Sequence, residues 1–154
     1  VFGKGLGLFV LLRQARVRER IEVIALGLGV GLGFAVAEIV VLGQEMISHR
    51  APLDPPALFS LLERFSAGGF HVYSGALIAI AIVTRRLHWI FWVFLLHTLV
   101  DWLAGAQGHA MHVPEIGLEV VFLIVAGMTF FLYDRARRTL ADPMPVWPKL
   151  HPET

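Results

Sequence analysis

The sequence contains no cysteine, which excludes disulfides, thiolate metal sites and cysteine nucleophiles. Charge is scarce as well: 16% of residues are Asp, Glu, Lys or Arg, against about 25% in an average soluble domain. Net charge is +1 and no stretch gathers a basic face, so the electrostatic footprint of a nucleic-acid binder is missing. No cleavable signal peptide is recognisable, because the first apolar run, residues 5–12, is short and ends in arginine without a small-residue cleavage site. The chain is instead dominated by apolar side chains, 56% of 154 residues, with a mean hydropathy of +0.70. That composition describes a membrane protein, with room for about four or five spanning helices and no separate soluble domain.

The order of apolar and polar stretches predicts an all-α fold, a polytopic transmembrane helical bundle with about four complete spans plus a partial N-terminal one. Residues 1–12 read as the second half of a helix, and because the chain starts at Val1 inside an apolar segment, its N-terminus is expected to be incomplete. Residues 13–20, RQARVRER, form a basic connection. The first complete span is expected at 21–43, where Gly29, Gly33 and Ala37 recur every four positions beside Gly27, Gly31 and Ala35, a spacing that lets helix backbones approach closely. Residues 44–58, with Pro52, Pro55 and Pro56, read as a loop, and 59–69 as an amphipathic segment that lies at the interface or begins the next helix. Further spans are expected at 70–84, 88–104 and 116–133, with a polar turn at 105–114. The domain division is therefore 1–138 for the transmembrane domain and 139–154 for a disordered cytoplasmic tail carrying four prolines.

Arginine placement orients the spans. Arg13, Arg16, Arg18 and Arg20 precede the first span, Arg85 and Arg86 join the second to the third, and Arg135, Arg137 and Arg138 follow the fourth. The opposite loops hold only Arg50 and Arg64. The positive-inside rule puts the basic connections and the tail in the cytoplasm of a multi-pass cell-membrane protein, a pattern that fits a bacterial inner membrane.

An ionisable side chain facing lipid costs at least about 2.5 kcal/mol, so the few that interrupt the spans must turn inward. Counting about 1.5 Å per helical residue puts Glu38, His71, His97, Asp101 and Glu119 in one layer, roughly 15–25 Å above the cytoplasmic edge. His97 and Asp101 are four apart and share a face, so the carboxylate can orient the imidazole. Any one such residue is more often a hydrogen-bonded packing element than a site; five at one depth point to a functional cluster. His49, His109, His112 and His151 fall in loops or the tail. Glu63 and Arg64 read first as an interfacial ion pair and second as a support to the cluster, and Glu119 divides evenly between a structural and a functional role.

A carboxylate and two imidazoles in a partly dry pocket offer two chemistries. Glutamate can activate water as a general base while the histidines stabilise an oxyanion. Alternatively, His71, His97 and a carboxylate match a Zn2+ site with an open position, although no HExxH motif is present. Both lead to hydrolysis of a peptide bond within the membrane.

At these residues the sequence resembles the PrsW-like branch of intramembrane proteases, in the wider group of CAAX proteases and bacteriocin-processing enzymes (the CPBP group). VGLGFAVAE (30–38) resembles that family's glycine-rich segment ending in glutamate. ERFSAGGFHVYSGALIAIA (63–81) resembles its second histidine segment, with His71 matching and Ser74 and Gly75 following. LLHTLVDW (95–102) resembles its HxxxN/D segment, matching His97 and Asp101. VFGKGLGL (1–8) resembles the continuation of a glutamate-pair motif, with Lys4 as its basic residue; the pair itself would fall before Val1. The resemblance implies an intramembrane endopeptidase that cuts a membrane-anchored protein, in some relatives an anti-sigma factor. Glu38, His71, His97 and Asp101 are its catalytic candidates, and the partners it implies are an integral membrane protein substrate and the lipid bilayer. Against it stand two other classes, a proton- or cation-coupled transport protein using Glu38, His97 and Glu119, and a non-catalytic membrane scaffold.

Overall fold

The computed structural model describes residues 2–14, 19–48, 55–109 and 115–140. These residues are all-α: five helices, α1 (Phe2–Gln14), α2 (Arg20–Ser48), α3 (Pro55–Thr84), α4 (His88–His109) and α5 (Glu115–Arg137). Three of them contain stretches long and apolar enough to cross a membrane, Arg20–Val41, Leu62–Thr84 and Gly117–Arg137; the apolar part of α4, His88–Leu103, is shorter.

Several boundaries differ from the sequence expectation. Residues 59–69, read as an interfacial segment or the beginning of the next helix, lie in the first half of α3, a single helix of 30 residues. Pro55 and Pro56 open it, and proline is tolerated in a first helical turn because the N–H it lacks has no intrahelical acceptor there. Helix α2 continues to Ser48 and α4 to His109, so 44–48 and 105–109 are helical and His109 is not in a loop. At the other end, Leu140 is buried and belongs to the same core cluster as Ala136. Arg16, Arg18, His49, Arg50, Pro52, His112, His151 and tail residues 141–154 lie outside the described residues.

Helix α3 is the hub, touching all four of the others. Its segment Ala76, Leu77, Ile78, Ala79, Ile80, Ala81 is wholly buried, as expected of a helix apolar on every side. Leu8 and Leu12 of α1, Val23 and Ile24 of α2, Trp89 and Val93 of α4, and Ala136 and Leu140 complete the cluster around it. The contacts fix the helix directions. Gly27 faces Ala76, Gly31 faces Val72 and Ala35 faces Gly68, so α2 runs antiparallel to α3. Tyr73 meets Phe130 and Tyr133 at ring-centroid distances of 5.0 and 5.5 Å, while Ala81 and Ala136 share the core, so α5 runs parallel to it. The ends of α1, α3 and α5 and the starts of α2 and α4 therefore share one pole, which carries Arg13, Arg20, Arg85, Arg86, Arg135, Arg137 and Arg138.

Close approach of α2 to α3 depends on small residues. A Cβ at Gly27 would fall 2.5 Å from the Ala76 Cα, and one at Gly31 would fall 2.7 Å from the Val72 Cα. Gly29 and Gly33, on the other side of α2, have no neighbouring atom within 4 Å of such a Cβ. Of the two small-residue stripes in this helix, the one through Gly27, Gly31 and Ala35 packs.

Candidate active site

Small-residue packing carries α2 against α3 until larger side chains take over at the pole away from the arginines. Glu38 lies two helical turns beyond Gly31 on α2, and His71 faces that same region from α3. There His71 Nε2 and Glu38 Oε2 are 2.5 Å apart. Arg64, two turns before His71 on α3, donates from Nη1 to Glu38 Oε1 at 3.2 Å and pairs through Nη2 with Glu63 Oε1, also at 3.2 Å. Arg64 is thus part of the cluster, beyond the interfacial pair with Glu63 that the sequence predicts.

The second imidazole comes from α4. His97 Nδ1 lies 3.0 Å from Asp101 Oδ2, the i, i+4 pair expected from the spacing. The His97 ring stands edge-on to His71, with centroids 5.7 Å apart, and edge-on to Phe70 at 5.4 Å. Glu38, Glu63, Arg64, His71, His97 and Asp101 all line one cavity of about 400 Å³, closed on its apolar side by Phe70, Val100, Phe122 and Val125. The structure therefore brings together Glu38, His71, His97 and Asp101. Asp101 sits at the rim, with 67% of its side chain exposed, whereas the His71 side chain is 11% exposed.

Glu119 is not among the residues lining this cavity. It is buried on α5, and its Oε2 has no hydrogen-bond partner among the described residues.

Lys4 of α1 completes the cluster from below. Its ammonium donates to His71 Nδ1 and, at 3.4 Å, to Ser74 Oγ, and it is 2% exposed. Neither Lys4 nor Arg64 stands among the catalytic candidates named from the sequence; Lys4 and Ser74 enter there only through the family resemblance. The available signal was Lys4 itself, an ammonium in the first turn of an apolar helix, which needs a buried partner wherever it lies within the membrane.

Hydrogen-bond directions follow from the inventory of donors and acceptors. A lysine ammonium only donates, so His71 Nδ1 accepts. An ionised carboxylate only accepts, so His71 Nε2 carries the proton shared with Glu38. Asp101 likewise takes the proton of His97 Nδ1, leaving His97 Nε2 without a partner among the described residues. Each oxygen of Glu38 receives one donor and keeps a further lone pair.

These directions bear on metal binding. A metal ligand must offer a lone pair, and both ring nitrogens of His71 are engaged, one by an ammonium and one by a carboxylate. Among the described residues no group of three His, Asp or Glu side chains is arranged to hold a metal ion. The arrangement does not fit the Zn2+ alternative, and no step below passes through a metal. Comparison with protein-family models, with curated proteins and with solved structures finds no match to this chain.

Proposed function

We propose that the protein is an intramembrane endopeptidase that hydrolyses a peptide bond of an integral membrane protein, with Glu38 as general base. The observation that carries this reading is the 2.5 Å contact of Glu38 with His71 in a cavity that also holds the His97–Asp101 pair. A carboxylate with two donors holding its orientation and free lone pairs facing a cavity is poised to take a proton from water.

In this mechanism Glu38 removes a proton as the water oxygen bonds to the scissile carbonyl carbon and the carbonyl electron pair moves onto its oxygen. His97, held through Nδ1 by Asp101, presents Nε2 to that oxygen and in its protonated form donates to the oxyanion. The tetrahedral species collapses, the C–N bond breaks, and the proton on Glu38 passes to the leaving nitrogen. His71 holds Glu38 throughout by its Nε2–H, and Arg64 balances the carboxylate from the other side. Hydrophobic walls from Phe70, Phe122 and Val125 exclude bulk water and strengthen each of these interactions.

The accompanying topology has α2, α3, α4 and α5 each crossing the bilayer, with α1 beside them and the arginine pole in the cytoplasm. All of α4, 22 residues, is about 33 Å long at 1.5 Å per residue, enough to cross when its polar C-terminal turn reaches the headgroups. The cavity then opens in the extracytoplasmic half, where the junction of a single-span substrate would meet it.

The transport reading requires Glu119 to continue a relay from Glu38 and His97, and the unpartnered Glu119 Oε2 leaves that link open. The test is cleavage of a library of fluorogenic peptides, each with one apolar transmembrane segment, by the full chain in lipid vesicles. Cleavage by the wild type and its loss in Glu38→Gln, His71→Ala and His97→Ala, all still membrane-inserted, is expected. Cleavage retained in all three variants would overturn the assignment, and pH-driven ion flux without cleavage would favour transport.

A further inference from the structure

We propose that Lys4 is a positioning residue which sets the tautomer of His71, holding the ring proton on Nε2 where it is donated to Glu38. The inference rests on the reading of Glu38 as the reacting carboxylate, but its evidence is a pattern of donors and acceptors that stands apart from any turnover.

Lys4 is one of two lysines in the chain, and it is buried in a helix of leucine, glycine and phenylalanine. Burying an ammonium is costly unless each face of it meets an acceptor or an aromatic ring. Here Nζ meets the two acceptors His71 Nδ1 and Ser74 Oγ and lies 5.2 and 6.0 Å from the ring centroids of Phe34 and Phe70. The Ser74 hydroxyl spends its own proton on the His71 carbonyl oxygen, 3.0 Å away, so its oxygen is turned to accept from Lys4. No donor faces a donor anywhere in the chain Lys4, His71, Glu38, Arg64, Glu63. In that chain the imidazole stands between the cation Lys4 and the anion Glu38, and the charges go on alternating through Arg64 and Glu63.

The alternative tautomer fails at both ends. A proton on Nδ1 would face the Lys4 ammonium, and the bare Nε2 lone pair would face the Glu38 carboxylate. Lys4 thus acts on the reaction through His71: it keeps His71 a hydrogen-bond donor to Glu38 and denies it the role of base. Ordinary packing of α1 onto α3 would need a side chain of this length at position 4, but would place no demand on which ring nitrogen of His71 is protonated.

The experiment is 15N NMR of the full chain labelled at its seven histidines in lipid nanodiscs, with the His71 signals assigned by their loss in His71→Gln. Wild-type His71 is expected to show an unprotonated Nδ1 and a protonated Nε2. In Lys4→Met, nearly the same size without the charge, Nδ1 is expected to take up a proton while Nε2 keeps the one it shares with Glu38, and Lys4→Arg, which can still donate, is expected to restore the unprotonated Nδ1. A protonated Nδ1 in the wild type, or a His71 spectrum unchanged in Lys4→Met, overturns the proposal. The wild-type spectrum suffices for this even where Lys4→Met fails to fold. Peptide cleavage is read separately: the expected spectra without cleavage leave the role of Lys4 standing and remove the protease, and cleavage with a protonated wild-type Nδ1 does the reverse.

Discussion

Gly31 of α2 lies so close to Val72 of α3 that a Cβ added to it would come within 2.7 Å of the Val72 Cα. The atom met is backbone, which cannot rotate away, so α2 would have to move, and Glu38 would move with it. Gly31→Ala is expected to destabilise the bundle by about 1–3 kcal/mol, the usual cost of overpacking, and to weaken peptide cleavage by parting Glu38 from His71. Gly29→Ala, facing open space, should be neutral or stabilising by up to about 1 kcal/mol, since alanine is the better helix former. Equilibrium unfolding of both variants in mixed detergent micelles decides the matter; equal effects would remove the packing account.

The two carboxylates of the cavity should respond unequally. Glu38 receives donors from two other residues and is the assigned base, so Glu38→Gln should lower kcat/KM by about 10²–10⁴, the range of general-base catalysis. Asp101 is mostly exposed and, among the described residues, pairs with His97 alone, so Asp101→Asn should cost about tenfold, or about 1.4 kcal/mol of transition-state stabilisation. A kinetic comparison in vesicles that reversed this order would exchange their roles.

Much of this site could be read from the chain because ionisable residues inside apolar helices are costly, and counting residues along each helix gives their depth. Glu38, His71, His97 and Asp101 were found that way, and they line one cavity. The contact of Lys4 with His71 is not legible locally, because the two are 67 residues apart on helices whose neighbours no local pattern specifies. For Arg64 the sequence leaves two readings, an interfacial pair with Glu63 and a supporting role, and the choice depends on α3 being continuous, which puts Arg64 two turns before His71. The prolines were the misleading sign, since Pro55 and Pro56 start a helix as readily as they interrupt one. The central position of α3 was also legible, in the all-round apolar run 76–81, but the glycines of α2 drew attention to the partner and not the hub.

The turn between α3 and α4 offers an independent check on the backbone. Arg85 has φ of 55°, and Arg86 N donates to Ala81 O while Arg85 N donates to Ile82 O, at 3.1 and 3.3 Å. This is a Schellman cap with arginine at the position where glycine is usual. Arg85→Gly is expected to raise stability by about 1 kcal/mol by removing the left-handed penalty of a residue with a Cβ. Thermal unfolding of the reconstituted protein should show a higher midpoint; a lower one would mean that the arginine side chain contributes more than its backbone costs.

Glu119 separates a structural carboxylate from a functional one. It is 6% exposed, and its Oε2 has no hydrogen-bond partner among the described residues, so no hydrogen bond there offsets the loss of water at that oxygen. An unsatisfied buried polar group costs about 1–3 kcal/mol. Leucine fills a similar volume without that cost, so Glu119→Leu is expected to stabilise the bundle by at least about 1 kcal/mol while leaving peptide cleavage within a factor of two or so of wild type. Unfolding and cleavage measured on the same preparation test both halves. A stabilised but inactive variant would show that Glu119 is kept at an energetic cost for the reaction, and would add it to the site despite its absence from the cavity wall. A destabilised variant would instead point to a hydrogen-bond partner for Glu119, so that the carboxylate holds α5 in place.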